Sequence, residues 1–244
     1  MLLHKSKSDQ QIQHLFNNSF TENKPIPFPE HNKHYAYSSL FYWAHLVAHE
    51  SAEFPLHGHK GFEIMTFVLK GSLEHFDTAT NVWTPIKQGG FQIIQAGSGV
   101  MHSERIVKGS EVFQIWFDPD FSKTLKTDPS YQDYTEDNLS IDNAENVKAI
   151  EYIGTKSDIE HQTADISIRR EFFQKGTYTK KTGISYVYSI YVMEGEGSIN
   201  KKSVVQDDFV VIDDTSSFVV DAKDELELFI IKSPKVLPYP RVKI

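Results

Sequence analysis

His57-Gly-His-Lys-Gly-Phe-Glu63 and, further along, Ala96-Gly-Ser-Gly-Val-Met-His-Ser-Glu104 are the stretches on which the reading of this chain turns. Successive side chains alternate across an extended strand, so His57 and His59 project from one face. His102 and Glu104 repeat that arrangement on a second strand. With the two strands side by side, three imidazoles and one carboxylate converge on a single point. That donor set suits a divalent first-row metal with positions left open for water, substrate or dioxygen. A lone His-x-His is as readily a polar strand end. Two pairs in matching phase, inside a glycine-punctuated β frame, favour a metal site.

The surrounding pattern supplies that frame. Aromatic-rich extended segments are expected at residues 35–47, 62–69, 72–76, 91–95, 103–107 and 112–117. Gly71, Gly89-Gly90 and Gly97-x-Gly99 mark the turns between them. Short strands at this spacing imply an antiparallel sandwich or barrel. Ahead of them lies an extension, residues 1–34. In it Ser8-Asp-Gln-Gln11 reads as a capping box, and Ile12, Leu15 and Phe16 share one helical face, so a short N-terminal helical segment is expected. Pro25, Pro27 and Pro29 then impose an extended connector. Residues 119–146 are charged, polar and poor in β-branched side chains, with Pro119 and Pro129 among them. They read as an interdomain linker between a first domain, 35–118, and a second, 147–244, in which strands resume.

The two halves look like diverged copies. Phe67-Val-Leu-Lys-Gly71 matches Tyr191-Val-Met-Glu-Gly195, and Phe91-Gln-Ile-Ile94 matches Phe209-Val-Val-Ile212. Counting outward from these anchors sets Lys181 and Gly183 where His57 and His59 stand, and Val220 and Ala222 where His102 and Glu104 stand. None of the four is a good ligand, so the second domain is expected to carry no metal.

The His57–Glu63 stretch, Gly71-Ser-Leu-Glu-His75-Phe-Asp77 and the Ala96–Glu104 stretch, in that order and spacing, resemble the pirin family of the cupin superfamily. The resemblance is best over residues 54–116 and continues weakly through Tyr131-Gln132. It implies an all-β bicupin, two cupin-type antiparallel β-barrels with one metal in the first. Residue by residue, it sets the family's ligands on His57, His59, His102 and Glu104. Iron is the usual metal; Mn, Ni, Cu, Co or Zn would also fit the donors. Some pirins are similar to quercetinases, which cleave flavonols with dioxygen, and others act as metal-dependent transcriptional cofactors. The chain departs from the family pattern at Gly58 (usually Pro), Lys60 (Arg), Gly90 (acidic) and Asp118 (Asn). Every ligand position survives, although Gly58 loosens the backbone between two of them.

Other residues near the ligands leave alternatives open. Glu63 has the parity of His57 and His59, so a regular strand would aim it at the metal as a fifth ligand or as a partner of a histidine. It reads equally as a hydrogen-bonded carboxylate at the barrel rim, and Gly61 offers a break in the alternation. His75 and Asp77 share a face of the next strand, as a hydrogen-bonding pair near the site or as surface residues. Glu104, the one anionic ligand, is the candidate catalytic base.

Bulk properties narrow the function. The 244 residues are enough for two domains with cores of their own. A net charge of −8 disfavours direct nucleic-acid binding. The absence of cysteine removes disulfides, thiolate metal sites and a cysteine nucleophile. No apolar run is long enough for a membrane span, and no signal-peptide core begins the chain, so a cytoplasmic protein is expected. Two functions follow: a dioxygenase taking a small aromatic flavonol or other enol together with dioxygen, or an iron-dependent, redox-sensing module that docks a protein partner.

Overall fold

The computed structural model describes residues 2–29, 38–144 and 146–241, so Tyr35, where an expected strand begins, lies outside the described residues. Its strands are β1 (Leu2–Lys5), β2 (Gln11–Leu15), β3 (Phe20–Ile26), β4 (Leu40–Ala48), β5 (Ala52–His59), β6 (Glu63–Lys70) and β7 (Ser72–Asp77). There follow β8 (Trp83–Lys87), β9 (Phe91–Gln95), β10 (Val100–Ile106), β11 (Glu111–Phe117), helix α1 (Phe121–Thr124), β12 (Ser130–Tyr134) and β13 (Ser140–Ala144). The last are β14 (Val147–Ile153), β15 (Ser167–Phe173), β16 (Gly176–Lys181), β17 (Tyr186–Ile199), β18 (Lys202–Val205), β19 (Phe209–Ile212) and β20 (Ser217–Pro234).

Two compact units form. The histidine-bearing unit comprises residues 11–138, 160–164 and 237–244; the other comprises 1–10, 139–159 and 165–236. In the first, a seven-stranded sheet runs β12-β9-β6-β11-β4-β3-β2 and a four-stranded sheet runs β5-β10-β7-β8. Phe20, Leu46, Val68, Leu73, Ile86, Ile106 and Val112 from both sheets make its buried core. Fully burying side chains of this size contributes about 1.5–3 kcal/mol each. Neither sheet closes on itself, so the expected barrel is open, with edge strands at β2, β5, β8 and β12.

The second unit is one nine-stranded antiparallel sheet. Its long strands β17 and β20 stay paired through two register shifts, at Val192/Glu194 and Gly195/Gly197. Gly195 has φ +86° there, a left-handed conformation that side chains resist. Bulges of this kind bend a strand, so β20 pairs with β15 through residues 167–173 and with β16 through residues 176–181.

The matching anchors sit in the same register in both units. Phe67 pairs with Phe91 across β6 and β9, and Tyr191 with Phe209 across β17 and β19. The counted correspondence between the ligand strands needs correcting. Val220 lies opposite Tyr178, as His102 lies opposite His57, and Phe218 lies opposite Lys180, as Val100 lies opposite His59. Tyr178 and Lys180, not Lys181 and Gly183, therefore take the positions of the two histidines. Counting residues is blind to the unequal connections that lead into β6 and β17.

The expected N-terminal helix is absent from the described residues. The capping residues are Ser6 and Asp9, which close a single turn: Ser6 Oγ donates to Asp9 Oδ2 at 2.6 Å and Ser6 N at 2.9 Å. Beyond it β2 pairs with β3 as a hairpin through Phe16, Asn17 and Asn18, all at positive φ. Leu15 packs on the core while Ile12 and Phe16 stay exposed, so the three do not form the shared buried face a helix would need. The stretch read as a linker also carries structure. Asp120 caps α1, β12 pairs with β9, and β13 pairs with β14. No helix among the described residues is long and apolar enough to cross a membrane.

Candidate metal centre

The site begins with strand pairing. In β10 and β5, His102 stands opposite His57, and on the other side of β10 it stands opposite Asp77 of β7. Alternation then brings His59 to the same face as His57. Ring centroids lie 4.3 Å apart for His57 and His102, 4.8 Å for His59 and His102, and 4.9 Å for His57 and His59. One nitrogen from each imidazole falls within 4.8 Å of the others, the spacing of a metal-binding group.

A bulge sits beside this cluster. Pairing slips between His102 and Glu104, so that Glu104 faces Phe54 and not Pro55. Pro55, which has no N–H to give to a ladder, tolerates that break. Its carbonyl accepts a hydrogen bond from His57 Nδ1 at 2.8 Å, which leaves the lone pair on Nε2 for a ligand.

Burial keeps the His59 and His102 imidazoles neutral. Desolvation, with the neighbouring His57 adding to it, lowers the His59 pKa to about 4, and desolvation followed by His59, His57 and His75 drives that of His102 lower still. Nε2 of His59 and both ring nitrogens of His102 are buried without a hydrogen-bond partner. Buried polar atoms left unpaired are costly. Unpaired nitrogens on neutral His59 and His102, converging with His57, are what a divalent transition metal requires, so this donor set fits one.

Glu104 is buried beside the cluster but outside the group of three. Gln114 Nε2 donates to both of its oxygens, at 3.1 and 3.2 Å, and Gln114 Oε1 accepts from Trp116 Nε1 at 3.2 Å. Desolvation raises the Glu104 pKa to about 7, against the stabilising bond from Gln114 and with a contribution from the charge of Glu22. Trp116 meets the edge of His59 with ring centroids 4.7 Å apart. Gln114 and Trp116 were not singled out as site residues from the sequence. Their signal was the same i, i+2 parity on β11 that marks the histidines.

Two open alternatives narrow. Glu63 does not point at the histidines: Gly61, at φ +80°, interrupts the alternation, and Glu63 opens β6 in the other sheet. Its buried carboxylate accepts from Gln162 N at 2.6 Å, Thr163 N at 3.0 Å and Thr163 Oγ1 at 2.5 Å, fastening residues 160–164 to their unit. His75 and Asp77 are both buried, but His75 Nδ1 and Asp77 Oδ2 are 3.9 Å apart, too far for a hydrogen bond. Asp77 instead closes the following turn, accepting from Ala79 N at 2.7 Å and Thr80 N at 2.8 Å. His75 packs between His102, at 5.4 Å, and Tyr131, at 5.1 Å, and desolvation lowers its pKa to about 4 despite the charge of Asp77.

A depression of about 410 Å³ opens beside His59, lined by Gly58, Lys60, Thr78, Gly99, Val100 and Met101. A Cβ on Gly58 would stand 3.0 Å from Met101 Sδ, so the glycine seats that thioether at the opening. A larger concavity, about 1190 Å³, belongs to the other unit. Glu194, Glu196, Asp224 and Glu225 on its rim are exposed, and it has no histidine in its lining. Among the described residues, the group of side chains able to hold a metal is this triad.

Residues 13–117 match the family model described as Pirin. Over 70 residues the chain is 41% identical to a quercetin 2,3-dioxygenase of Escherichia coli strain K12, a stretch covering 28% of this chain and 30% of that protein. A pirin-like protein of Arabidopsis thaliana is 28% identical over 156 residues, 60% of this chain and 50% of the relative. The chain thus spans half or less of the length of these two relatives. A bacterial pirin of Escherichia coli, solved in complex with nickel(II), has the same fold: the TM-score is 0.81 over 97% of this chain and 100% of that one, at 20% identity.

Proposed function

We propose that this chain, whose residues 13–117 match the pirin family model, is a metal-dependent dioxygenase acting on flavonols or other enol aromatic substrates. His57, His59 and His102 would hold the metal, with Glu104 as fourth ligand and general base. The observation that carries this reading is the convergence of three imidazole nitrogens within 4.8 Å beside a buried carboxylate.

Bound there, a divalent transition metal, iron first among them, supplies Lewis acidity toward paired substrate oxygens and redox chemistry toward dioxygen. The protein's own groups do the rest. Glu104, the buried carboxylate of the set, would take the proton of a substrate hydroxyl. Gln114 fixes the direction of that carboxylate, and Trp116 fixes Gln114. Phe28, Phe41, Tyr42, Phe62 and Trp116 pack into an aromatic wall that reaches His59, suited to a flat substrate ring. His75, behind His102, braces that ring from the far side.

The test is oxygen consumption by iron- or manganese-loaded protein across quercetin, other flavonols and simple enols, with carbon monoxide measured as the product expected of flavonol ring opening. Uptake above that of free metal supports the assignment. A metal-replete sample with none would replace it by the metal-dependent binding module, to be sought by pull-down with the metal reduced and oxidised.

A further inference from the structure

Two buried ions in the histidine-bearing unit lie outside the ligand set. Glu22 and Lys24 lie two residues apart on β3, so alternation turns both toward the face of Phe20 in the core. Their side chains retain 8% and 10% exposure, and Lys24 Nζ lies 2.7 Å from Glu22 Oε2. It also donates to Gln13 Oε1 at 2.6 Å. Removing two charges from water offsets most of their attraction, so stability alone is a weak reason for such a pair.

Its position supplies a better one. The ammonium stands 5.6 Å from the centre of the Tyr42 ring. Tyr42 packs on Trp116 at 4.9 Å, and Trp116 meets His59 at 4.7 Å and bonds through Gln114 to Glu104. Lys24 and the triad therefore stand at two ends of one aromatic wall. Burial, followed by the charges of Glu22 and Glu104, raises the pKa of Tyr42, so both carboxylates act on that wall. Gln13 is exposed on the edge strand β2, free to yield its place at the ammonium to an incoming oxygen.

We propose that Lys24 is a ligand-binding residue of the histidine site, and that it selects aromatic molecules carrying an ionised oxygen, an enolate or a carboxylate. The ring lies along Tyr42 and Trp116 while the charged oxygen meets the Lys24 ammonium in place of Gln13. This rests on the reading of the triad as a metal site for aromatic substrates and adds the charge of the substrate to it. The competing role for Lys24 is to pin β2 to β3, which would give it no influence on ligand charge.

Zinc-loaded protein, in which redox turnover is silent, is titrated calorimetrically with 2-naphthoate and with its neutral isostere 2-naphthamide. Wild type should prefer the carboxylate. Lys24→Met should reduce that preference about tenfold, the scale of one hydrogen bond to a charged group, and Lys24→Arg should keep most of it. Any direct attraction of the carboxylate to zinc is common to all variants and cancels in the comparison. Lys24→Gln replaces Lys24→Met if the latter fails to fold. An unchanged ratio in folded, zinc-replete Lys24→Met or Lys24→Gln, or no preference in wild type, overturns the proposal. A Lys24-dependent preference without oxygen uptake would retire the oxygenase reading alone; uptake with a Lys24-independent ratio would retire this one alone.

Discussion

Replacing Gln114 by Leu tests whether the base is tuned from outside the ligand set. The side chain is similar in volume, but the amide that donates to both Glu104 oxygens is gone. A hydrogen bond to a charged group has a net value of about 1.5–3 kcal/mol, and one pH unit of pKa corresponds to about 1.36 kcal/mol. Losing it removes the influence that holds the Glu104 pKa down to about 7, so burial acts unopposed. The pKa should rise by about one to two pH units. In the metal-free protein the ionised fraction at pH 7 then falls from about one half to about one tenth or less. Metal binding must displace that proton. Affinity for Mn²⁺ or Zn²⁺ at pH 7 should therefore weaken roughly fivefold to fiftyfold, and the deficit should shrink as pH rises toward 9. Calorimetric metal titrations from pH 6 to 9 read both effects. A Gln114→Leu variant whose affinity follows the wild-type pH curve would refute this account of Glu104.

Further outcomes follow from the same geometry. His102→Ala should abolish binding of the single metal by removing the central imidazole, leaving a folded β protein by circular dichroism; retained metal by elemental analysis would count against the triad. Glu104→Gln, compared at matched metal loading, should lower turnover about a hundredfold if Glu104 is the base. Glu63→Ala should cost about 2–4 kcal/mol in urea melts, by leaving the Gln162 and Thr163 donors unpaired, without changing metal content. His59, His75 and His102 have folded pKa values below the ordinary 6.5, so the unfolded chain binds more protons as pH falls. Metal-free protein should accordingly lose stability from pH 6.5 down toward 4. Glu104, raised from 4.5 to about 7, acts in the opposite sense: its contribution is present below 4.5 and lost as pH rises through 7. Urea melts at pH 7 and pH 5 weigh the three imidazoles against the one carboxylate, and unchanged or greater stability at pH 5 would contradict the balance drawn here.

Local pattern alone determined much of this protein. Alternation aligned His57 with His59, glycines marked the turns, and the repeated Phe67 and Tyr191 anchors anticipated two units with equivalent strand registers. These properties depend on neighbours within a few residues, where a period of two is legible without knowing the partner strand. Only tertiary structure could decide the rest. Ile12, Leu15 and Phe16 suit a helix by spacing, yet hairpin pairing with β3 makes that segment a strand, because the ladder to β3 outweighs local propensity. Glu63 has the parity of a ligand, but one left-handed glycine and a change of sheet carry it to Thr163. The bulge opposite Glu104 and the chain from Trp116 through Gln114 arise from contacts between strands far apart in sequence. Lys24 and Glu22 carry no signal in the sequence; only the fold encloses them beside Tyr42. What a residue can bond follows from its chemistry; what remains within its reach once water is gone is settled by the packing of the whole unit.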